Sequence, residues 1–396
     1  MNILVIGNGF DLAHGLPTKY TDFLNWIVGE YKFYCHYMKK DIYKLKVDLQ
    51  VPIQNHKQSF PINADWKKNT TQYTEFLECI HKNIWIEYFL YKKSKMRENW
   101  IDFESEIKNV IKSIDQDMQL NATMNNIENL SNAYIKERLM ALEDRVKLGK
   151  IRKKKQLLSY NNAIGILHRD LNRLIRALEL YLTKYVSDLV CNKISPDIRN
   201  IHADKVLSFN YTNTYEKMYD CKGNIEFDYI HGKAIDYLPI TDNNMVLGIE
   251  EYLPDDRKNK DTEFIAFKKF YQRIYKQTGC MYKQWVDKIR SDKKKIEDEL
   301  EYGSLKQIPF EQYKNKSHYL YIFGHSLDIT DGDILRDLIL NDNVYTTIFY
   351  LNKDVMGQQV ANLVKVIGQD ELIRRTGGST KTIEFKLQQD MVTIKK

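Results

Sequence analysis

Paired cysteines, long apolar runs and internal repeats are all missing from this chain of 396 residues. Its cysteines, Cys35, Cys79, Cys191, Cys221 and Cys280, stand far apart and form no C-x-x-C pair. That spacing argues against a structural zinc site and against a secreted disulfide framework. No apolar stretch approaches the roughly 18 residues that a membrane-spanning helix needs. The run "ILVI" near the start is too short for the apolar region of a signal peptide and has no basic leader. A cytoplasmic protein that crosses no membrane is therefore expected. No low-complexity tract interrupts the chain.

What is present is a globular composition: 43% hydrophobic and 29% charged residues, enough for a large buried core. The length allows two or three domains, or one domain with a large insertion. The net charge of +7 is modest for this size; it would suit an anionic ligand or nucleic acid and establishes neither. The densest basic run, "RVKLGKIRKKKQ" at 145–156, reads as a solvated helix end or loop, or as a grip on an anionic partner.

"NILVIG" has the pattern of a short buried strand closed by glycine, and "TKYTDFLNWIV" that of a helix capped by Thr18 or Thr21. Helical periodicity dominates from there to about residue 200. Trp100, Phe103, Ile107, Val110, Ile111 and Ile114 share one face, and Leu167, Leu171, Leu174, Leu178 and Leu182 form a second stripe. The segment 45–70, with Pro52 and Pro61, reads as a loop. Beyond Lys205 the pattern changes to short apolar runs: "KVLSFNYT", "FDYIHG", "MVLGIE", "HYLYIFGHS" and "VYTTIFYL". The helical patterns "EFIAFKKFYQRIY" and "QWVDKIRSDKKKIEDEL" fall between them. Such alternation predicts an α/β fold with a mostly parallel sheet. Residues 1–20 and 201–396 would form the α/β domain, and 21–200 a large α-helical insertion.

Four strand candidates run into glycine or small polar residues. The first ends in Gly7-Asn8-Gly9, followed by Phe10 and Asp11, the second in Asn210-Tyr211-Thr212, and the third in His231-Gly232. The fourth ends in Gly324-His325-Ser326, with Asp328 and Asp331 beyond. In an open parallel sheet these ends share one edge, where ligands bind. The first turn lacks the third glycine of the dinucleotide fingerprint, having Leu12 there, and no Gly-Lys-Ser/Thr follows it. By itself it is an ordinary turn or a ligand loop; beside the other strand ends, a ligand loop is expected.

His231 is either a satisfied structural histidine or a base facing the crevice, with an ordinary pKa suited to neutral pH. Asn210 caps a turn or orients a water or a ribose hydroxyl. Glu104 sits about 40° round the helix from Trp100, inside the apolar stripe, and there needs a basic partner, a cap or a ligand.

"ILVIGNGFDLAHGLPTKYTDF", "NWIDFESEI", "SFNYTNTYE", "YIHG" and "YIFGHSLDITD", in this order, resemble the AbiH family of bacterial phage-defence proteins of the abortive-infection type. The order is also similar, more distantly, to sirtuin-like NAD-cleaving domains. That resemblance implies a Rossmann-like sheet binding NAD as substrate, with Gly7, Asn8, Gly9 and Phe10 as the pyrophosphate loop. It implies Asn210 and His231 as catalytic residues. Thr212, Gly232, Gly324, His325, Ser326 and Asp328 are expected to line the cofactor crevice. The sirtuin zinc module has no counterpart here, so neither zinc nor protein deacetylation is expected.

The function so implied is NAD+ glycohydrolysis in phage defence. His231 would act as base, Asn210 would position the reacting group, and Asp11 and Glu104 would stabilise positive charge. The partners expected are NAD or a related nucleotide, a phage-derived trigger and a second copy in a homo-oligomer. Two other classes stay open: a nucleotide sensor without turnover, and a nucleic-acid-directed enzyme or binder using the basic run with Asp11, Asp328 and Asp331 around Mg²⁺.

Overall fold

The computed structural model describes residues 1–37, 70–95, 101–120, 126–147, 158–220, 223–302 and 317–394. Trp100, the expected loop as far as Asn69 and the basic run beyond Lys147 lie outside the described residues. The chain forms two compact units. One comprises Met1–Pro17, Leu189–Lys233 and Gln277–Lys396; the other comprises Thr18–Asp188 and Ala234–Lys276.

The first unit is built on six strands: β1 (Asn2–Ile6), β2 (Lys205–Ser208), β3 (Glu226–Tyr229), β4 (His318–Phe323), β5 (Val344–Tyr350) and β6 (Ile383–Leu387). Their spatial order is β3-β2-β1-β4-β5-β6, and every pairing is parallel. This is a Rossmann-like α/β fold. A separate two-residue antiparallel pair joins Lys193–Ile194 to Val392–Thr393.

A parallel sheet covered on both faces requires apolar residues at successive positions, and β1 supplies them. Ile3 and Val5 join Leu320, Ile322 and Ile348 on one face, with Trp285, Leu335 and Leu363 from the helices Tyr282–Tyr302, Gly332–Ile339 and Lys353–Ile367. Leu4 and Ile6 join Val206, Phe10 and Tyr215 on the other. Burying the four side chains of β1 contributes on the order of 6–12 kcal/mol gross. That is as large as the net stability of a typical domain, so the sheet cannot persist without this strand.

β6 is an edge strand that the apolar runs do not announce. Ile383 is buried while Glu384 and Lys386 are exposed, so its alternation is that of a strand half in water.

The second unit is helical. Phe103, Ile107, Val110, Ile111 and Ile114 are fully buried along the helix Phe103–Leu120. Ser159 caps the helix Tyr160–Lys184, accepting from the Asn162 N–H at 3.3 Å, and the leucine stripe from Leu167 to Leu182 is buried. "MVLGIE" is a correction to the strand pattern. It forms only a single bridge, Ile249 to Lys268, because Gln272 takes up the backbone of Leu247 through both ends of its amide. A side chain there does the work of a neighbouring strand.

Registration places Tyr229, Ser208, Ile6 and Phe323 in one row across the sheet, so the residues that follow them emerge side by side. The turns after β1 and β4 interlock within that row. Gly7 N–H donates to Phe323 O at 3.2 Å, and Gly9 N–H donates to Gly324 O at 2.8 Å. Gly324 has φ +67°, and a Cβ there would lie 2.2 Å from Phe10 N.

Gly324→Ala should therefore destabilise the protein by about 3 kcal/mol or more, through backbone collision added to left-handed strain. Gly15 has φ +81° but open space beside it, and a Cβ there would meet nothing within 4 Å. Gly15→Ala should cost only about 1 kcal/mol. Urea unfolding of the two variants checks the contrast.

Candidate active site

The switch point of the sheet lies between β1 and β4, where the strand order runs outward in opposite directions. The interlocked turns occupy it. α1 (Asn8–Ala13) starts directly from the first turn, and Phe10 N–H donates to Gly7 O at 2.8 Å. The N–H groups of Gly9 and Phe10 are thus committed to protein oxygens. The glycines of this turn admit the neighbouring turn: a Cβ on Gly7 or Gly9 would meet Gly324 atoms at 2.8 Å. Phe10 is fully buried, its ring packed among His14, Tyr215, Tyr219 and Phe323. It is the side chain by which α1 docks on the sheet.

Asn210 ties β2 to this turn. Its amide donates to Gly7 O at 3.0 Å, and its backbone N–H donates to Ser208 Oγ at 3.2 Å. Two residues on, the Thr212 hydroxyl donates to Asp11 Oδ2 at 2.6 Å, and Thr214 Oγ1 donates to Thr212 Oγ1 at 3.1 Å. Asp11 is buried, and its other oxygen, Oδ1, has no hydrogen-bond partner among the described residues. Burial pushes its carboxyl up from 3.8 to about 6 against the opposing hydrogen bonds from Thr212 and Thr214.

His14, one turn along, donates from Nδ1 to Phe10 O at 2.7 Å. Its Nε2 accepts from the Tyr219 hydroxyl, also at 2.7 Å. The same hydroxyl accepts the Ser195 N–H at 2.8 Å. Burial holds His14 below the usual histidine range, so it is a neutral structural ring.

The third and fourth strand ends bring two histidines to one carboxylate. His231 Nε2 lies 3.3 Å from Asp331 Oδ1, and His325 Nε2 lies 3.5 Å from Asp331 Oδ2. All three residues are buried. The Phe209 ring, directly after β2, meets both imidazoles edge-on, with centroids 5.5 Å and 4.3 Å away. His325 Nδ1 accepts the N–H of Leu327 at 2.9 Å. Leu327 is buried with φ +60°, a conformation costing about 1–2 kcal/mol for a residue with a Cβ. Helix Lys353–Ile367 braces this loop: Gln359 donates to His325 O at 3.2 Å and Asn362 to Ser326 O at 2.9 Å.

The remaining expected site residues have identifiable places. Gly232 is buried with φ +75°. The Ser326 side chain is exposed. Asp328 caps the short turn Ile329–Asp331 by accepting the Thr330 N–H at 3.0 Å. Glu104 belongs to the helical unit, where it pairs with Lys269 at 2.8 Å. The pairing supplies the basic partner its place in an apolar stripe demands. Among the described residues, no group of three or more His, Cys, Asp or Glu side chains is arranged to hold a metal ion.

Asp331 as the shared partner of both histidines is the feature that sequence reasoning missed. Its only trace in the sequence is the pair of acids flanking Ile-Thr in "SLDITD", an Asp-capped turn that carries a second Asp at its end.

The family model for bacteriophage abortive infection AbiH matches residues 3–351, a span from β1 through β5 that contains every expected site residue. No curated protein and no solved structure matches the chain.

Because the folded protein holds the Asp11 proton more tightly than the unfolded chain does, this group stabilises least at high pH. Its contribution is full below about pH 4 and is lost as pH rises through about 6. Relative to Asp11→Asn, the wild type should lose about 2 kcal/mol of stability between pH 4.5 and 7.5. Urea midpoints at those two pH values measure it; parallel pH dependences would contradict it.

Proposed function

Since the chain belongs to the bacteriophage abortive infection AbiH family, and so serves phage defence, we propose that it is an NAD+ glycohydrolase that cleaves the nicotinamide–ribose bond. What supports this reading is that Asn210, Asp11 and His231 each follow the C-terminal end of a neighbouring strand in a sheet ordered β3-β2-β1-β4-β5-β6, with Asn210 bonded to Gly7 O and Thr212 to Asp11. A dinucleotide lies across that edge in folds of this type.

The reaction asks little of an acid. The C1′–N bond breaks with its electron pair returning to the cationic pyridinium ring, and nicotinamide leaves neutral. What remains is an oxocarbenium-like ribose, which water attacks at C1′ while giving up a proton. The site has a residue for each need. His231 takes the proton, directly or through a ribose hydroxyl. Asn210, held by its bond to Gly7 O, orients the hydroxyl or water. Asp11, with one buried oxygen lacking a hydrogen-bond partner among the described residues and a carboxyl ionised above about pH 6, stabilises the positive charge as it develops. The products are nicotinamide, ADP-ribose and one proton.

Purified full-length protein incubated with NAD+ should release nicotinamide and ADP-ribose in equal amounts, read by chromatography. His231→Ala should lower the rate by about 100- to 10,000-fold, or about 3–5 kcal/mol, with an unchanged circular dichroism spectrum. Asn210→Ala should also be strongly impaired. Full activity in His231→Ala would remove that residue from the mechanism. Tight binding of NAD+ with no nicotinamide release would replace the enzyme by a sensor.

A further inference from the structure

The strand order decides which parts of the sheet receive helices. A right-handed crossover between parallel strands places its helix on a face set by the direction in which the chain moves across the sheet. From β1 the chain moves outward to β2 and β3, and Phe10, Ile198 and Tyr215 from helices on that path pack on the face of Leu4 and Ile6. From β4 it moves the other way to β5 and β6, and Leu335, Leu363 and Leu372 pack on the face of Ile3 and Val5. The Leu4 face of β4, β5 and β6 is the half that this rule leaves without a helix. Among the described residues it forms a groove of about 750 Å³, lying wholly within the first compact unit.

Side chains alternate along each strand, so Tyr319, Tyr321, Tyr345 and Phe349 point away from the core of Leu320, Ile322 and Ile348 and floor the groove. Tyrosine joins a flat apolar ring to a polar tip, which suits a surface that is wet when empty. Tyr319 and Tyr345 are cross-strand partners, their ring centroids 5.9 Å apart and their planes inclined by 29°, and Tyr345 is 44% exposed. β6 and the residues leading into it add Lys381 and Lys386, both exposed, and the Lys386 ammonium stands 5.6 Å from the Phe349 ring centroid. Arg199 is exposed just before Asn200, another lining residue. The two carboxylates beside these cations are engaged. Glu384 accepts the Thr347 hydroxyl at 3.0 Å. Asp197 is buried, accepts from the backbone and amide of Gln389 at 2.7 and 2.8 Å, and lies 3.8 Å from Lys386 Nζ.

We propose that this half-face binds single-stranded nucleic acid, with bases laid on the tyrosines and phosphates met by Lys381, Lys386 and Arg199. Every base has a flat π-face, so an aromatic floor accepts successive bases whatever their sequence, while cations at the rim offset the charge of the backbone. A duplex keeps those faces inside its own stack and cannot use the floor. Sheets that display aromatic residues in this way hold two or three bases. The groove lies toward the other ends of the strands from the candidate active site. Tyr319 and Tyr345 are the second residues of β4 and β5, whereas Asp11, Asn210 and His231 come after strand ends. Binding here is independent of the NAD+ reaction.

The test measures fluorescence anisotropy of a labelled oligouridylate and a labelled oligothymidylate, each of about 12 nucleotides, mixed with the full-length protein. At least one should bind at about 50 mM salt and weaken toward about 200 mM. Tighter binding of the oligouridylate identifies RNA as the ligand, and tighter binding of the oligothymidylate identifies DNA. Tyr345→Ala should weaken binding by about 5- to 100-fold through loss of a stacking surface. Its side chain is exposed, so the circular dichroism spectrum and any nicotinamide release should stay unchanged. Lys386→Glu should weaken both oligonucleotides alike and make the log–log salt slope shallower by about 0.7.

No binding of either oligonucleotide at the lower salt overturns the proposal. So does a duplex of the same length bound as tightly as the single strands, or an affinity left unchanged by Tyr345→Ala or by Lys386→Glu. Oligonucleotide binding that responds to both variants, in a protein that releases no nicotinamide, supports the groove and removes only the NAD+ reaction.

Discussion

The contact between the turns after β1 and β4 governs everything else in this site. Both turns leave neighbouring strands at the same height, and they can pass only because Gly7, Gly9 and Gly324 carry no side chains. The bond from Gly9 N–H to Gly324 O then fixes the start of α1 relative to the loop carrying His325. Asp11 sits on the first of these segments, while His325 and Asp331 sit on or just beyond the second. A shift of one turn against the other would therefore move Asp11 relative to His325 and Asp331. Glycine is required here chiefly for the approach of protein to protein.

From that fixed frame the polar groups are held by short, mostly local bonds. Asn210 bonds to Gly7 O, Thr212 to Asp11, Leu327 N–H to His325, and Asp328 to the turn that ends in Asp331. Each bond compensates part of the cost of removing a polar group from water. The compensation is incomplete at Asp11, whose carboxyl is displaced to about 6 by burial. An acid in that condition lowers stability at neutral pH.

Much of this was legible in the sequence, and for a plain reason. β1 through β5 of the sheet are apolar runs, the first four stopped by glycine or small polar residues, and burial on both faces of a parallel sheet leaves that pattern. β6 was not visible, because an edge strand alternates and looks like loop. "MVLGIE" imitated a strand because its backbone needs are met by Gln272, and no local rule foretells a side chain so far along the chain. The places of His231, Asn210 and Asp11 just beyond strand ends were readable in the sequence. The pairing of His231 with Asp331 depends on two loops that meet only in three dimensions. The bond from Leu327 N–H to His325 depends on one backbone angle at Leu327, a residue type that gives no hint of positive φ. Glu104 shows the limit from the other side: its awkward place in an apolar stripe was readable, while its pairing with Lys269 was not.

A site with a buried acid short of partners, two buried histidines on one carboxylate and a leucine in left-handed backbone is a net burden on stability. Each of these features costs on the order of 1–3 kcal/mol. A domain with net stability in the usual range could not carry several of them on a loose scaffold. The sheet carries them because its central strand is buried at Ile3, Leu4, Val5 and Ile6, with helices packed on both faces. The cost is concentrated within the first few residues beyond the C-terminal ends of β1, β2, β3 and β4. The opposite arrangement, strain spread through the core, would weaken the frame that keeps the two turns in register. Concentrated at the strand ends, the same strain is resisted by the frame that holds the loops of His231 and His325.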